Sequence, residues 1–177
     1  MKIDIGCGEF KKEGFAGVDI LSVPGVDHVV DLRKEPLPFA DNSIEEVFTN
    51  HFLEHLEIED VVRVIEDIHR VCLAGAKVEI HVPHFSSATN FYEFHKTSFR
   101  YSSFREFIDG QKGMFESQAR LKLLQRRICF QKSKYFPWNY VVEPLINASR
   151  LPGLYEWTFL RNLLPASEVI FVLEVVK

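Results

Sequence analysis

Acidic and small residues recur in this sequence directly behind short apolar runs, an arrangement that puts chemistry at strand ends. Ile3 and Ile5 bracket Asp4 and lead into Gly6-Cys7-Gly8. That turn has almost no side-chain bulk, so backbone can come close to a ligand there. Asp19 closes the next apolar run and offers a carboxylate with two oxygens, suited to paired hydroxyls such as those of a ribose. Asp31 ends the third run as an acceptor suited to an amino group such as that of adenine, and Asn50 and His51 follow the fourth. Four successive strand ends on one edge make the crevice that a nucleotide-like ligand needs in an open α/β sheet.

Histidines supply the other candidate chemistry. His84 and His95 are of the residue type that takes up a proton near neutral pH, and either is a candidate general base. The alternative is that each only hydrogen-bonds backbone around a loop. His51 and His55 are four apart with Glu54 between them, but two ligands are in view where three or four are needed, so no metal site is expected. Cys7, between two glycines and without a basic neighbour to lower its pKa, reads as a small side chain fitting a tight turn rather than as a reactive thiol. Tyr92, Phe94 and Tyr101 are candidates for substrate contact, because a cap beside a crevice is where acceptor pockets are built; the alternative is that they are core. The basic stretch Arg120, Lys122, Arg126, Arg127, Lys132 and Lys134 reads as a solvated strand face.

The elements that position these groups follow from periodicity and punctuation. Strands are predicted over 2–5, 15–20, 27–32 and 45–49, each followed by Gly, Pro, Asn or Asp. Residues 59–73 space Val61, Val62, Ile65, Ile68, His69 and Cys72 as an amphipathic helix, with acids early and bases late along the dipole, and Gly75 is read as its stop. Further strands are predicted over 77–82, 121–130 and 168–176. One or two helices are predicted over 140–164, interrupted at Pro152 and Gly153. The residues 85–107 are dense in aromatics without clean periodicity and read as a packed cap.

The runs Ile3-Asp4-Ile5-Gly6-Cys7-Gly8, Gly17-Val18-Asp19, Pro38-Phe39-Ala40-Asp41-Asn42-Ser43 and Asn50-His51-Phe52-Leu53-Glu54-His55-Leu56 resemble, in order and spacing, the class I S-adenosylmethionine-dependent methyltransferases. Leu73-Ala74-Gly75-Ala76-Lys77-Val78-Glu79-Ile80 is similar to that family's turn into the fifth strand, and Leu164-Pro165-Ala166-Ser167-Glu168 to its approach to the last. The resemblance implies an α/β, Rossmann-like three-layer sandwich on a seven-stranded, mostly parallel sheet whose last strand is antiparallel. The first helices are abbreviated, because 9–14 is too short for a parallel crossover helix. It implies one domain over 1–177, with an aromatic cap or insertion at 85–117 and a second helical insertion at 132–165.

By the same resemblance the cofactor is S-adenosylmethionine. Asp4, Gly6, Cys7 and Gly8 would surround its methionine part, Asp19 and Ile20 its ribose, and Asp31 and Leu32 its adenine. Asn50 and His51 would lie near the ammonium and sulfonium, with Phe52 closing over them. The implied reaction is methyl transfer to an unidentified acceptor, a small molecule or a side chain, in which positioning and desolvation supply most of the acceleration. Two rivals share part of the pattern: a nicotinamide-dependent oxidoreductase, which the missing third glycine disfavours, and a non-catalytic module that binds the cofactor and modifies nothing.

Bulk properties set the bounds. The 177 residues are 46% hydrophobic and 26% charged, as expected for one globular domain. A formal net charge of -4 disfavours a nucleic-acid partner, and no apolar stretch approaches the ~18 residues of a membrane span. Three scattered cysteines, without disulfide or zinc spacing, lead us to expect a reducing, cytoplasmic setting. The oligomeric state is not legible in the sequence.

Overall fold

The computed structural model describes residues 1–108, 117–148 and 151–177; parts of the expected cap (109–116) and second insertion (149–150) lie outside the described residues. Among those described, seven strands form one sheet in the order β3-β2-β1-β4-β5-β7-β6. They are β1 (Lys2–Ile5), β2 (Ala16–Asp19), β3 (His28–Val29), β4 (Ile44–Asn50), β5 (Cys72–Pro83), β6 (Arg120–Cys129) and β7 (Glu168–Val176). β7 runs antiparallel to both of its neighbours, and every other pairing is parallel. The expected sheet is therefore the observed one.

One face of the sheet is apolar because alternate residues are. Paired rows such as Ile3, Val47, Val78 and Leu173 are buried against α1 (Ile58–Val71). That helix presents Val61, Val64, Ile65, Ile68 and Val71 inward, at the spacing that lines one face. Burying five such side chains is worth roughly 1.5–3 kcal/mol each, an upper bound. The dipole match of Glu59, Asp60, His69 and Arg70 adds less than about 1 kcal/mol per charge, and Glu57 at the N-cap makes no side-chain cap. Packing, not capping, holds α1.

The helix ends earlier than Gly75. The amide of Cys72 bonds to Ile68 and closes the last turn, while Cys72 already pairs with Ile44 as the first residue of β5. Gly75, at φ +81°, lies in the register shift between that pair and Glu46 with Lys77. It serves a bulge in the strand, not a helix cap. β3 is likewise shorter than expected: the amides of Lys34 and Glu35 bond to the Asp31 carbonyl, so the chain turns where a longer strand was predicted.

The other face carries alternating charge. Lys2, Glu46, Lys77, Glu174 and Lys122 form one row across five strands, with Lys2–Glu46 at 2.7 Å, Lys77–Glu46 at 3.8 Å and Lys122–Glu174 at 3.3 Å. Among the described residues no helix joins β1 to β2 or β2 to β3. The β1–β2 connection crosses this face instead, with the Lys12 ammonium 3.9 Å from the centre of the Phe48 ring and its amide bonded to Asp4 at 2.8 Å. The third layer is thus reduced to a loop anchored by a cation over an aromatic ring.

Two segments elaborate the sheet. After β5, a 3-10 turn (Ala88–Phe91) and a short helix α2 (Arg105–Ile108) carry the aromatics. Phe99, Phe104 and Phe107 enter the core, with Phe99 stacked on Phe104 and Phe104 edge-on to Phe171, while Phe91, Tyr92 and Phe94 stay exposed. Between β6 and β7 come α3 (Asn139–Ile146), α4 (Leu151–Trp157) and α5 (Leu160–Leu163). The break expected at Pro152 and Gly153 lies inside α4, where proline in the first turn forfeits no helical hydrogen bond. α3 instead ends at Asn147, whose side-chain amide bonds both the N–H and the C=O of Ile128 at 2.8 Å and so covers the edge of β6. Among the described residues no helix is long and apolar enough to cross a membrane.

Candidate functional site

A cleft of about 420 Å³ opens at the carboxyl ends of β1 and β2. Gly6, Cys7, Gly8, Asp19, Ile20, Asp31, Leu32, His51 and Phe52 all line it, so nine of the positions singled out from the sequence meet at one place. Gly6 must be glycine on two counts. Its φ is +72°, and a Cβ there would sit 2.4 Å from that of Phe52. Gly8, at φ +51°, has nothing near its would-be Cβ, leaving open space above the turn.

Asp19 ties the turn together. Its Oδ2 accepts from the Gly8 amide at 2.9 Å and its Oδ1 from the Leu21 amide at 2.9 Å. Each oxygen keeps a lone pair for a further donor. Asp31 is gripped by Arg33, Nε to Oδ1 at 2.7 Å and Nη2 to Oδ2 at 2.9 Å, which holds its carboxyl well below the usual range. Cys7 is half-buried, and burial, reinforced by Asp4 and Asp19, pushes its thiol up to about 11. It is no nucleophile at neutral pH.

Two of the expected positions stand outside the cleft. Asp4 is buried on the charged face, and burial raises its carboxyl above the ordinary value against the lowering effect of the Lys12 amide. Its work is to hold the loop behind the glycine turn. Asn50 pairs with His81 at the end of β4 and is exposed. It is absent from the cleft wall because alternation along the strand turns it the other way.

His51 has φ +53° and sits between two carboxylates, Nδ1 to Glu54 at 3.1 Å and Nε2 to Glu168 at 3.6 Å. The Glu168 carboxylate first and the Glu54 carboxylate second push it up to about 9, so it is an imidazolium at neutral pH. Two carboxylates against one cation leave this end of the cleft net negative.

Beyond His51 and His55 lies a second cavity, of about 580 Å³, which those two residues share with the first. Phe91, Tyr92 and His95 form its outer wall, and burial lowers the pKa of His95. Of the residues proposed for substrate contact, Tyr92 lines this cavity. Phe94 packs on Tyr92 at 5.3 Å without lining it. Tyr101 lies elsewhere, its ring 3.8 Å from the Arg126 guanidinium.

His84 requires correction as a general base. It is 0% exposed, its Nδ1 faces the Ser86 hydroxyl at 2.7 Å and accepts from the Ser86 amide at 3.1 Å, and its Nε2 faces Glu156 at 3.1 Å. Both ring nitrogens are engaged, and no cavity reaches them among the described pockets. His84 braces the end of β5 against α4. Sequence reasoning missed Glu9, Phe10, Leu21, Val30 and Arg33 as cleft residues, although each flanks a strand-end position already noted. Glu54, noted in the sequence between His51 and His55, lines the second cavity and faces inward one turn from His51.

Residues 16–80 match a family model described as a methyltransferase domain. Among solved structures, a SAM-dependent methyltransferase from Archaeoglobus fulgidus superposes with a TM-score of 0.59 at 17% identity, covering 98% of this chain and 85% of that one. The N-methyltransferase NodS from Bradyrhizobium japonicum WM9, in complex with S-adenosylhomocysteine, gives 0.58 at 10% identity, with 99% and 78% covered. The cyclase SpnF gives 0.61 at 14% identity, with 99% and 74% covered. No curated protein sequence matches the chain. The fold is that of the class I S-adenosylmethionine-dependent methyltransferases, and a cyclase among its bearers shows that the fold does not fix the reaction.

Proposed function

We propose, from a chain with the class I methyltransferase fold and a matched methyltransferase domain, that the cleft binds S-adenosylmethionine and that the chain transfers its methyl group to an acceptor in the adjoining cavity. The observation that carries this reading is the junction of the two spaces at His51 and His55, one lined by the glycine turn and two strand-end carboxylates, the other by aromatics. Adenosine hydroxyls and an amino group find acceptors at Asp19 and Asp31, while the methionine part lies along Gly6 to Gly8. The cofactor is cationic at its sulfonium and ammonium, and a cleft walled by acids favours it over a dinucleotide pyrophosphate, which needs a helix N-terminus that the β1–β2 loop does not provide.

Methyl transfer is an in-line displacement on carbon with the leaving group already on the cofactor. The acceptor's lone pair forms the new bond, the S–C pair stays on sulfur, and the acceptor's proton is released. Phe52, against Gly6, keeps water from the sulfonium, and alignment across the His51 and His55 junction supplies the near-attack geometry. The accepting class is a small molecule carrying a hydroxyl or amine that fits an aromatic-walled space of about 580 Å³. The test is a thermal-shift comparison followed by a transfer assay. S-adenosylhomocysteine raises the melting midpoint while the nicotinamide dinucleotide does not, and labelled methyl passes to at least one member of a hydroxyl and amine panel. Stabilisation without transfer across the panel favours the non-catalytic module. Stabilisation by the dinucleotide alone overturns both.

A further inference from the structure

Two polar atoms without hydrogen-bond partners lie buried in the wall of the second cavity, Glu54 Oε2 and His95 Nδ1. The Glu54 side chain is 1% exposed, and its other oxygen faces His51. A carboxylate withdrawn from water with one oxygen orphaned is costly unless a cation or donor completes it. Beside it stand two imidazoles, His55 and His95, with ring centres 4.9 Å apart and planes 79° from parallel. Ligand atoms of Glu54, His55 and His95 all lie within 4.8 Å of one another.

The three are held together by backbone. The Glu54 carbonyl accepts from the amides of Lys96 at 2.7 Å and Thr97 at 3.2 Å, and the Thr97 hydroxyl donates to the Leu56 carbonyl at 2.7 Å. The segment bearing His95 is thereby tied to the turn bearing Glu54 and His55. His55 Nδ1 lies 3.4 Å from the Phe94 carbonyl, a contact that orients the ring and leaves Nε2 as the ligating atom. Ligands of a tetrahedral ion, bound at about 2.0–2.2 Å, sit roughly 3.3 Å apart, so modest side-chain rotation closes the set.

We infer that Glu54, His55 and His95 bind one divalent first-row transition ion, zinc in the first instance, with a coordination position open to the second cavity. Two imidazoles and one carboxylate form a donor set that suits zinc or iron(II) and leaves room for a water or substrate atom, whereas magnesium and calcium prefer all-oxygen shells. The sequence showed two of these ligands on one turn; the third comes from the aperiodic cap. The ion's role rests on the methyltransferase reading: it holds and acidifies an acceptor hydroxyl. That hydroxyl loses its proton to water, its oxygen forms the bond to the methyl carbon, and the S–C pair stays on sulfur. Binding of the ion does not rest on that reading.

The experiment uses the untagged full chain, stripped with a chelator and dialysed. Zinc chloride is titrated calorimetrically, and cobalt(II) is added to a second sample for its visible spectrum. We expect one zinc per chain and the intense d–d bands of a four- or five-coordinate cobalt site, with His95→Ala and His55→Ala each weakening zinc binding by roughly 10-fold or more. His95 is half-buried and His55 is no more buried than that, so these variants keep the test open even where Glu54→Gln does not fold. Weak, non-stoichiometric zinc binding, or binding unchanged in both histidine variants, overturns the site. S-adenosylhomocysteine is titrated separately into the metal-free chain: its failure to bind removes the methyltransferase reading and leaves the metal site standing.

Discussion

The backbone amide of Gly8 donates to the carboxylate of Asp19 at 2.9 Å, joining the bend after β1 to the tip of β2. One side chain therefore both shapes the glycine turn and faces the cleft. Asp19→Ala removes the acceptor for Gly8 and for Leu21, together with the proposed partner of the ribose hydroxyls. Hydrogen bonds to a charged group are worth about 1.5–3 kcal/mol each, so S-adenosylhomocysteine should bind roughly 10- to 100-fold more weakly by calorimetry. Unaltered affinity would remove Asp19 from the site.

Gly6→Ala meets two obstacles at once, a positive φ and the Phe52 ring. The backbone strain alone costs on the order of 1–3 kcal/mol. Phe52, moreover, has to shift into the cleft. We expect a lower melting midpoint together with lost cofactor affinity, whereas Gly153→Ala, in α4 with nothing near its would-be Cβ, leaves affinity unchanged.

The thiol of Cys7, pushed up to about 11, is protonated below that value, and the reactive thiolate appears only as pH rises toward it. At pH 8 its thiolate fraction is on the order of 0.1%, against roughly a quarter for an ordinary cysteine near pKa 8.5. Cys72 and Cys129, both buried, are pushed up to about 12 and about 11. Alkylation of the native chain at pH 8 should therefore be slow and should rise steeply above pH 10, with three thiols reacting promptly in denaturant. A fast-reacting native thiol at pH 8 contradicts this.

His84→Ala should act on stability and not on chemistry. It takes one of two partners from the buried Glu156 carboxylate, which keeps the Tyr101 amide, and opens a cavity beside Tyr155, at a cost of roughly 1–3 kcal/mol for the lost buried hydrogen bond. For a chain of this size that lowers the melting midpoint by about 2–4 °C per kcal/mol. Turnover per folded molecule, measured well below the midpoint, stays near wild type, whereas loss of a general base would reduce it about 100- to 10,000-fold.

Local pattern explains which parts of this structure were legible in the sequence. β1, β2, β4, α1 and β7 follow from alternation or helical spacing of apolar residues within a few positions, and the glycine turn follows from residue type. What escaped was decided at a distance. The pairing of His84 with Glu156 spans 72 residues, so its burial left no local mark. Gly75 reads as a helix stop until Cys72 is seen paired to Ile44 in the sheet. Asn50 was assigned to the crevice by its place in the motif, but strand alternation turns it outward. His95 met Glu54 and His55 only through backbone bonds between the cap and the turn after β4.

The most direct measurement of the central claim is a crystal structure of the chain with S-adenosylhomocysteine. The ribose hydroxyls are expected on Asp19, the homocysteine part along Gly6 to Gly8, and the sulfur facing His51 and the second cavity. A ligand found elsewhere on the sheet, or an empty cleft at saturating concentration with no calorimetric heat, would contradict it.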